Sequence, residues 1–254
     1  MTPLLDASSV TVRFGGVTAN HEVDVAVGEG ELVGVIGPNG AGKTTFIDAI
    51  TGFVHSSGRV TLGGDDISDA NAVARARAGL IRTWQSVELF DDLDVADNLA
   101  VADHRPRRLE VLRAIVGVGS GRNRDRIEAA LARVGLTGAG HLFPEQLSHG
   151  QRKLVGVARA LVSHPDVLCL DEPAAGLDET ESAALGRQLR QLAEGGLTML
   201  LVDHDMHLVL GVCDRIYVMD TGRVIAAGTP AEIRRDPAVL EAYLGTGTHT
   251  EEER

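Results

Sequence analysis

Gly37-Pro38-Asn39-Gly40-Ala41-Gly42-Lys43-Thr44 is the stretch on which the fold turns. It satisfies G-x-x-x-x-G-K-(S/T) in full. Leu32 to Ile36 before it is a short apolar run that stops at glycine, and Phe46, Ile47 and Ile50 after it recur at helical spacing. Strand, glycine-rich loop and helix N-terminus make a phosphate cradle: glycines let backbone N–H groups wrap the anion, and the helix dipole favours its charge. Gly37, Pro38, Asn39, Gly40, Ala41, Gly42 and Thr45 are therefore expected to touch a nucleotide such as ATP. Lys43 would reach its β- and γ-phosphates, and the Thr44 hydroxyl would ligate Mg²⁺.

Upstream, residues 1–30 alternate apolar and polar (Val10, Val12, Phe14, then Val23, Val25, Val27), which predicts antiparallel strands. Downstream, the apolar runs Val167–Leu170, Met199–Val202 and Ile216–Met219 read as buried strands with helical stretches between them. Such alternation implies an α/β fold with a largely parallel sheet covered on both faces. From 86 to 165 the period changes to a helical one (Ile127, Leu131, Val134, then Leu154, Val157, Leu161), predicting an inserted helical subdomain. A glycine-rich break at Gly117–Gly121 is expected to be a loop within it, and the polar residues 245–254 a frayed tail. The expected organisation is one domain over 1–244, with 1–85 and 166–244 as core and 86–165 as the helical insertion.

Composition narrows the function. A formal net charge of -12 opposes nucleic-acid binding, which needs a basic surface. Apolar residues make up 44% of the chain but aromatics only 3%, so aliphatic side chains must fill the core. Cys169 and Cys213 form no C-x-x-C pair, as expected of buried thiols in a reducing compartment. No signal segment opens the chain, and no uncharged run approaches the ~20 residues a spanning helix needs. Any membrane contact is expected through a partner.

Val167-Leu168-Cys169-Leu170-Asp171-Glu172 is an apolar strand ending in two carboxylates. Asp171 suits a Mg²⁺ site, and Glu172 suits a general base that polarises the attacking water. Leu147-Ser148-His149-Gly150-Gln151 precedes a strong helical pattern, with Ser148 placed as N-cap. Asp178 and Glu181 form a D-x-x-E pair suited to capping another helix.

The cradle, the L-S-x-G-Q element ahead of the D-E strand and a downstream histidine together resemble the ABC ATPase family, over about Val10 to Leu244. The resemblance implies a P-loop NTPase core with an N-terminal antiparallel β subdomain and an inserted α-helical subdomain. It also implies head-to-tail pairing with a second ATPase subunit, a copy or a paralogue. Ser148, Gly150 and Gln151 of one subunit would then cap the γ-phosphate held by the other. His149 replaces the commoner glycine there, while Gly150 is kept. By the same resemblance Gln85 senses Mg²⁺ and relays to the membrane partner, and His204 contacts the γ-phosphate. Phe14 would stack on adenine, where tyrosine is more usual, and Asp178 lies in the loop coupling two active sites.

Ile81-Arg82-Thr83-Trp84-Gln85, Asn98-Leu99-Ala100-Val101-Ala102, Asp171-Glu172-Pro173-Ala174-Ala175-Gly176-Leu177 and the C-terminal Ala242-Tyr243-Leu244-Gly245 resemble the larger ATPase subunit of branched-chain amino acid importers. Permease subunits and an extracytoplasmic solute-binding protein would be its partners, at the cytoplasmic face of the membrane. Importers of urea or amides and lipid or lipopolysaccharide exporters share much of this pattern and stay open as alternatives. A soluble ABC ATPase of translation or DNA repair fits less well, given one cassette, no sustained heptads and an acidic chain. The seven arginines between Arg105 and Arg126 suit either a solvated loop or a contact with anionic headgroups.

Overall fold

The computed structural model describes residues 2–84, 89–102 and 120–244. Gln85, the arginines from Arg105 to Arg113 and the polar tail lie outside the described residues. The chain divides into two compact units, one of Met1–Gln85, Asp166–Ala175 and Leu189–Arg254, the other of Ser86–Pro165 and Gly176–Gln188.

In the first unit the early alternation becomes β1 (Leu5–Phe14) and β2 (Val17–Val27), paired antiparallel. With β4 (Ser57–Leu62) and β5 (Asp65–Asp66) they form a sheet of order β2-β1-β4-β5. A second sheet has the order β10-β9-β3-β8-β7-β6. Its members are β3 (Leu32–Ile36), β6 (Leu80–Thr83), β7 (Val167–Asp171), β8 (Thr198–Val202), β9 (Arg215–Asp220) and β10 (Arg223–Gly228). The first five of these pair in parallel, and β10 joins β9 antiparallel at the edge. Strands β3, β7 and β8 are buried at every position, the pattern of central parallel strands covered on both faces.

Helix α1 (Lys43–Ile50) directs Phe46, Ile47 and Ile50 into one core with Val33 and Val35 of β3 and Leu200 and Val202 of β8. Each such side chain contributes about 1.5–3 kcal/mol on burial. The same core reaches Leu5, Val10, Val23 and Val25 of the antiparallel sheet, so α1 is gripped from both sides. The short helices α2 (Ala72–Arg77), α7 (Met206–Val212), α8 (Pro230–Ile233) and α9 (Pro237–Leu244) complete this unit.

In the second unit α3 (Val95–Ala100), α4 (Ser120–Arg133) and α5 (His149–Val162) pack on one another, burying Leu99, Leu131, Val134 and Leu161. The helical period of 127–161 therefore lies where expected. Of the glycine-rich break, 117–119 lie outside the described residues, and its end differs from expectation: α4 already runs from Ser120, so Gly121 is helical. Glycine costs a helix least in its first turn, before the intrahelical ladder is established. Asn98 is fully buried and staples the segment before α3, accepting from Phe90 N at 2.8 Å and donating to Phe90 O and Leu93 O at 3.0 and 3.1 Å. Helix α6 (Glu179–Glu194) runs through residues of both units.

Candidate functional site

Chain geometry prepares the loop between β3 and α1 to hold an anion. Gly42 is the N-cap of α1 in the left-handed region, φ 94°, with no side-chain cap and no acidic residue in the first turn. The first N–H groups of α1 thus lack an intrahelical acceptor and any acidic side chain in their own turn. A Cβ at Gly42 would lie 2.6 Å from Asn20 Nδ2 and 2.8 Å from Ala19 O. Gly37 is tighter still, since its Cβ would meet Met219 O at 2.1 Å. Strand β2 braces the loop through Asn20 Nδ2, which donates to Gly42 O at 3.1 Å, and the turn after β9 does so through Gly222 N to Ala41 O at 3.0 Å.

The Lys43 ammonium curls back over this loop, donating to Gly37 O at 2.7 Å and Pro38 O at 3.0 Å. Burial lowers its pKa from the ordinary 10.5, and the carboxylates of Glu172 and Asp203 partly restore it. A cleft of about 470 Å³ opens beside it. Asn39 to Thr45 line that cleft together with Glu172, Val17, Thr18, Ala19, Thr221 and Gly222. Its size falls within the range of ligand sites.

Glu172 follows β7 in the left-handed region, φ 43°, and is held there by donating its N–H to Val202 O at 2.7 Å. Such a conformation costs a non-glycine residue ~1–3 kcal/mol, and here it turns the side chain of Glu172 to the cleft. His204 Nδ1 lies 3.5 Å from Glu172 Oε2. Asp203, fully buried, fixes this neighbourhood by accepting from His204 N at 2.8 Å, Asp205 N at 2.9 Å and Ala174 N at 3.2 Å. Burial raises its pKa, and those N–H donors and His204 pull it back in part.

Asp171 is 5% exposed, and its Oδ2 accepts from Arg82 Nη2 at 2.6 Å. Among the described residues no cluster of three His, Cys, Asp or Glu side chains has the disposition of a protein-only metal cage. A Thr hydroxyl, one aspartate and substrate oxygens are instead the donor set of a Mg²⁺ ion that arrives with a phosphorylated ligand. The residues present fit that ion and a nucleotide.

Phe14 ends β1 with its ring half exposed, and Val17 to Ala19 rather than Phe14 border the cleft. In the second unit Ser148 caps α5 as its type predicts, in a reciprocal box: Ser148 Oγ accepts from Gln151 N at 3.2 Å, and Gln151 Oε1 from Ser148 N at 2.9 Å. Gly150 N donates to Glu181 Oε1 at 3.1 Å. Asp178 Oδ1 accepts from Glu181 N at 2.8 Å, so Asp178 caps α6 while the Glu181 side chain turns to Gly150.

Asn20, Asp48, Arg82 and Asp203 received no role from the sequence. A charged residue inside or just past an apolar strand, as at Arg82 and Asp203, was the available signal.

Phosphate loop, carboxylate-tipped strand and histidine on one parallel sheet define a nucleotide-binding cassette. The chain belongs to the ABC transporter ATP-binding family, whose profile matches residues 20–175. The profile of the branched-chain amino acid ATP-binding cassette transporter matches residues 223–249. Among curated relatives, the high-affinity branched-chain amino acid transport ATP-binding protein LivG of Salmonella typhimurium is 38% identical, covering 96% of this chain and 98% of its own. The lipopolysaccharide export system ATP-binding protein LptB of Escherichia coli is 34% identical over 95% of this chain and 97% of its own. Among solved structures, the ATP-binding cassette MJ1267 of an ABC transporter, in its ADP conformation, superposes with a TM-score of 0.85 at 29% identity, over 96% of this chain and all of that one. The chain is accordingly a nucleotide-binding ATPase subunit of a transporter complex. No helix among its described residues is long and apolar enough to cross a membrane.

Proposed function

We propose that this chain hydrolyses Mg²⁺–ATP at the cytoplasmic face of a membrane to energise an importer of branched-chain or other hydrophobic amino acids. The carrying observation is the gathering of Lys43, Thr44 and Glu172 on one cleft, with His204 beside Glu172. Import rather than lipid export is favoured by the C-terminal match at 223–249 and by the higher identity to LivG than to LptB.

In this reading the backbone N–H groups between Gly37 and Thr45, Pro38 having none, and the Lys43 ammonium bind the β- and γ-phosphates. Thr44, Asp171 and Gln85 hold Mg²⁺, which neutralises phosphate charge when bound. Glu172 accepts a proton from the attacking water, a role worth roughly 10²–10⁴-fold in rate, and His204 beside it contacts the γ-phosphate. Phe14 stacks on adenine. Ser148, Gly150 and Gln151 of a second ATPase subunit, a copy or a paralogue, close on the γ-phosphate, and Asp178 couples the two sites. One cassette over 1–244 would thus drive permease subunits served by a solute-binding protein.

Glu172→Gln tests the chemistry: nucleotide binding is retained, turnover falls by at least ~100-fold, and ATP-bound dimers accumulate on gel filtration. Full turnover in that variant removes the base assignment. Pull-down from detergent-solubilised membranes tests the partner, the expected capture being a polytopic permease. Loss of leucine, isoleucine and valine uptake on gene deletion tests the solute.

A further inference from the structure

Arg82 sits on β6 with 4% of its side chain exposed, between two carboxylates. Nη1 donates to Asp48 Oδ1 on α1 at 2.5 Å, and Nη2 to Asp171 Oδ2 on β7 at 2.6 Å. An unpaired guanidinium at that depth would be strongly destabilising, and one carboxylate already neutralises it. The second partner needs another reason. Asp48 belongs to the helix whose first turn carries Lys43 and Thr44, so Arg82 ties that helix to the strand bearing Asp171.

One face of the guanidinium is roofed by aromatic rings. The Trp84 centroid lies 4.4 Å from Arg82 Cζ and that of Phe53 5.7 Å, the rings meeting edge to face at 4.9 Å. Trp84 is 49% and Phe53 53% exposed, so the buried cation is one residue layer from the surface.

We infer that Arg82 is a positioning residue for the metal carboxylate: it occupies Asp171 Oδ2 and competes with the divalent cation, Asp48 setting how hard it competes. This rests on the reading of Asp171 as a Mg²⁺ residue. With one Oδ2 lone pair committed to a short charge-assisted bond, Asp171 would offer the ion a carboxylate whose charge is already partly neutralised. Removing the positive charge leaves the carboxylate free for the metal. Removing Asp48 leaves Asp171 as the sole partner of a full positive charge, so the metal is opposed more strongly.

Opposite signs make the inference testable. Mn²⁺ is titrated into the full chain with saturating ADP, and free Mn²⁺ is counted by electron paramagnetic resonance. Arg82→Gln is expected to lower the Mn²⁺ half-saturation by ~3-fold or more, and Asp48→Asn to raise it by ~3-fold or more. Metal-free ADP affinity is unchanged in both. Trp84 is the single tryptophan of the chain, so its emission gives a second readout. Mg²⁺–ADP shifts that emission in the parent protein and shifts it less in Asp48→Asn. A merely structural ion pair would lower the melting temperature of both variants and leave half-saturation and emission response alone; that result, or shifts of equal sign, overturns the inference. Should Arg82→Gln fail to fold, with buried Asp171 and partly exposed Asp48 both left without it, Asp48→Asn decides by itself. Asp171→Asn separates the two levels. No effect of that change on Mn²⁺ binding removes the underlying metal assignment. An effect there with none in Asp48→Asn removes only the role of Arg82.

Discussion

Replacing Asp203 with asparagine exchanges one oxygen for an NH₂ group in a place with no solvent to absorb the change. The carboxylate accepts three backbone N–H bonds, from His204 and Asp205 on Oδ1 and from Ala174 on Oδ2, at 2.8, 2.9 and 3.2 Å. Asparagine satisfies the first pair with its carbonyl but turns an N–H toward Ala174 N–H, so two donors face each other. An orphaned buried donor costs about 1–3 kcal/mol, and the surviving bonds lose their ionic character. Against this, burial of the charge itself is unfavourable, as the raised Asp203 pKa records, and asparagine relieves that. The geometric loss outweighs the relief, because the bonds tie the segment after Glu172 to the backbone of His204. The expected net loss is about 1–3 kcal/mol, or a fall in Tm of roughly 2–12 °C for a chain of this size. Turnover should fall at least ~10-fold through misplacement of Glu172 and His204. ADP affinity stays near the parent value, since the cradle is untouched. Thermal melting, steady-state ATPase assays and calorimetric ADP titration measure the three quantities. Parent-like melting together with parent-like turnover would refute the reasoning.

Lys43→Ala removes the buried ammonium over the loop, and nucleotide affinity measured by calorimetry should drop by at least ~100-fold with little change in the fold. The same lysine predicts a pH effect. Because burial lowers its pKa, the free protein sheds this proton at a lower pH than an ordinary lysine, and bound phosphate restores it. Nucleotide affinity is therefore highest below the depressed pKa and declines as pH climbs through it, with proton uptake on binding. Titrations in alkaline buffers of different ionisation enthalpy read that uptake, and its absence contradicts the assignment. Gly42→Ala forces a Cβ against Asn20 Nδ2 and Ala19 O at a left-handed φ, so about 1–3 kcal/mol of stability and most nucleotide binding should go, by chemical denaturation and ADP titration.

Contiguous residues carried the legible part of this protein. The loop from Gly37 to Thr45, the β7 carboxylates, the Ser148 cap and the helical period of 127–161 each depend on neighbours within a few positions, and each lies in the element expected. His204 was legible as a strand-end residue, but its 3.5 Å approach to Glu172 was not. That approach follows from Asp171 lying opposite Val202 in the β7–β8 register, which brings the two strand ends side by side. The task of Arg82 is not legible in its motif, since its partners Asp48 and Asp171 lie far away along the chain. The Gly150 amide likewise finds the Glu181 carboxylate, a contact that the D-x-x-E spacing of Asp178 and Glu181 does not suggest. Local pattern fixes what a segment becomes, because helix, strand and phosphate loop are set by backbone sterics and spacing a few residues long. Which buried charge meets which follows from the order β3-β8-β7-β6, and only the packed sheet, by excluding water from those ends, makes a charged partner there worth its place.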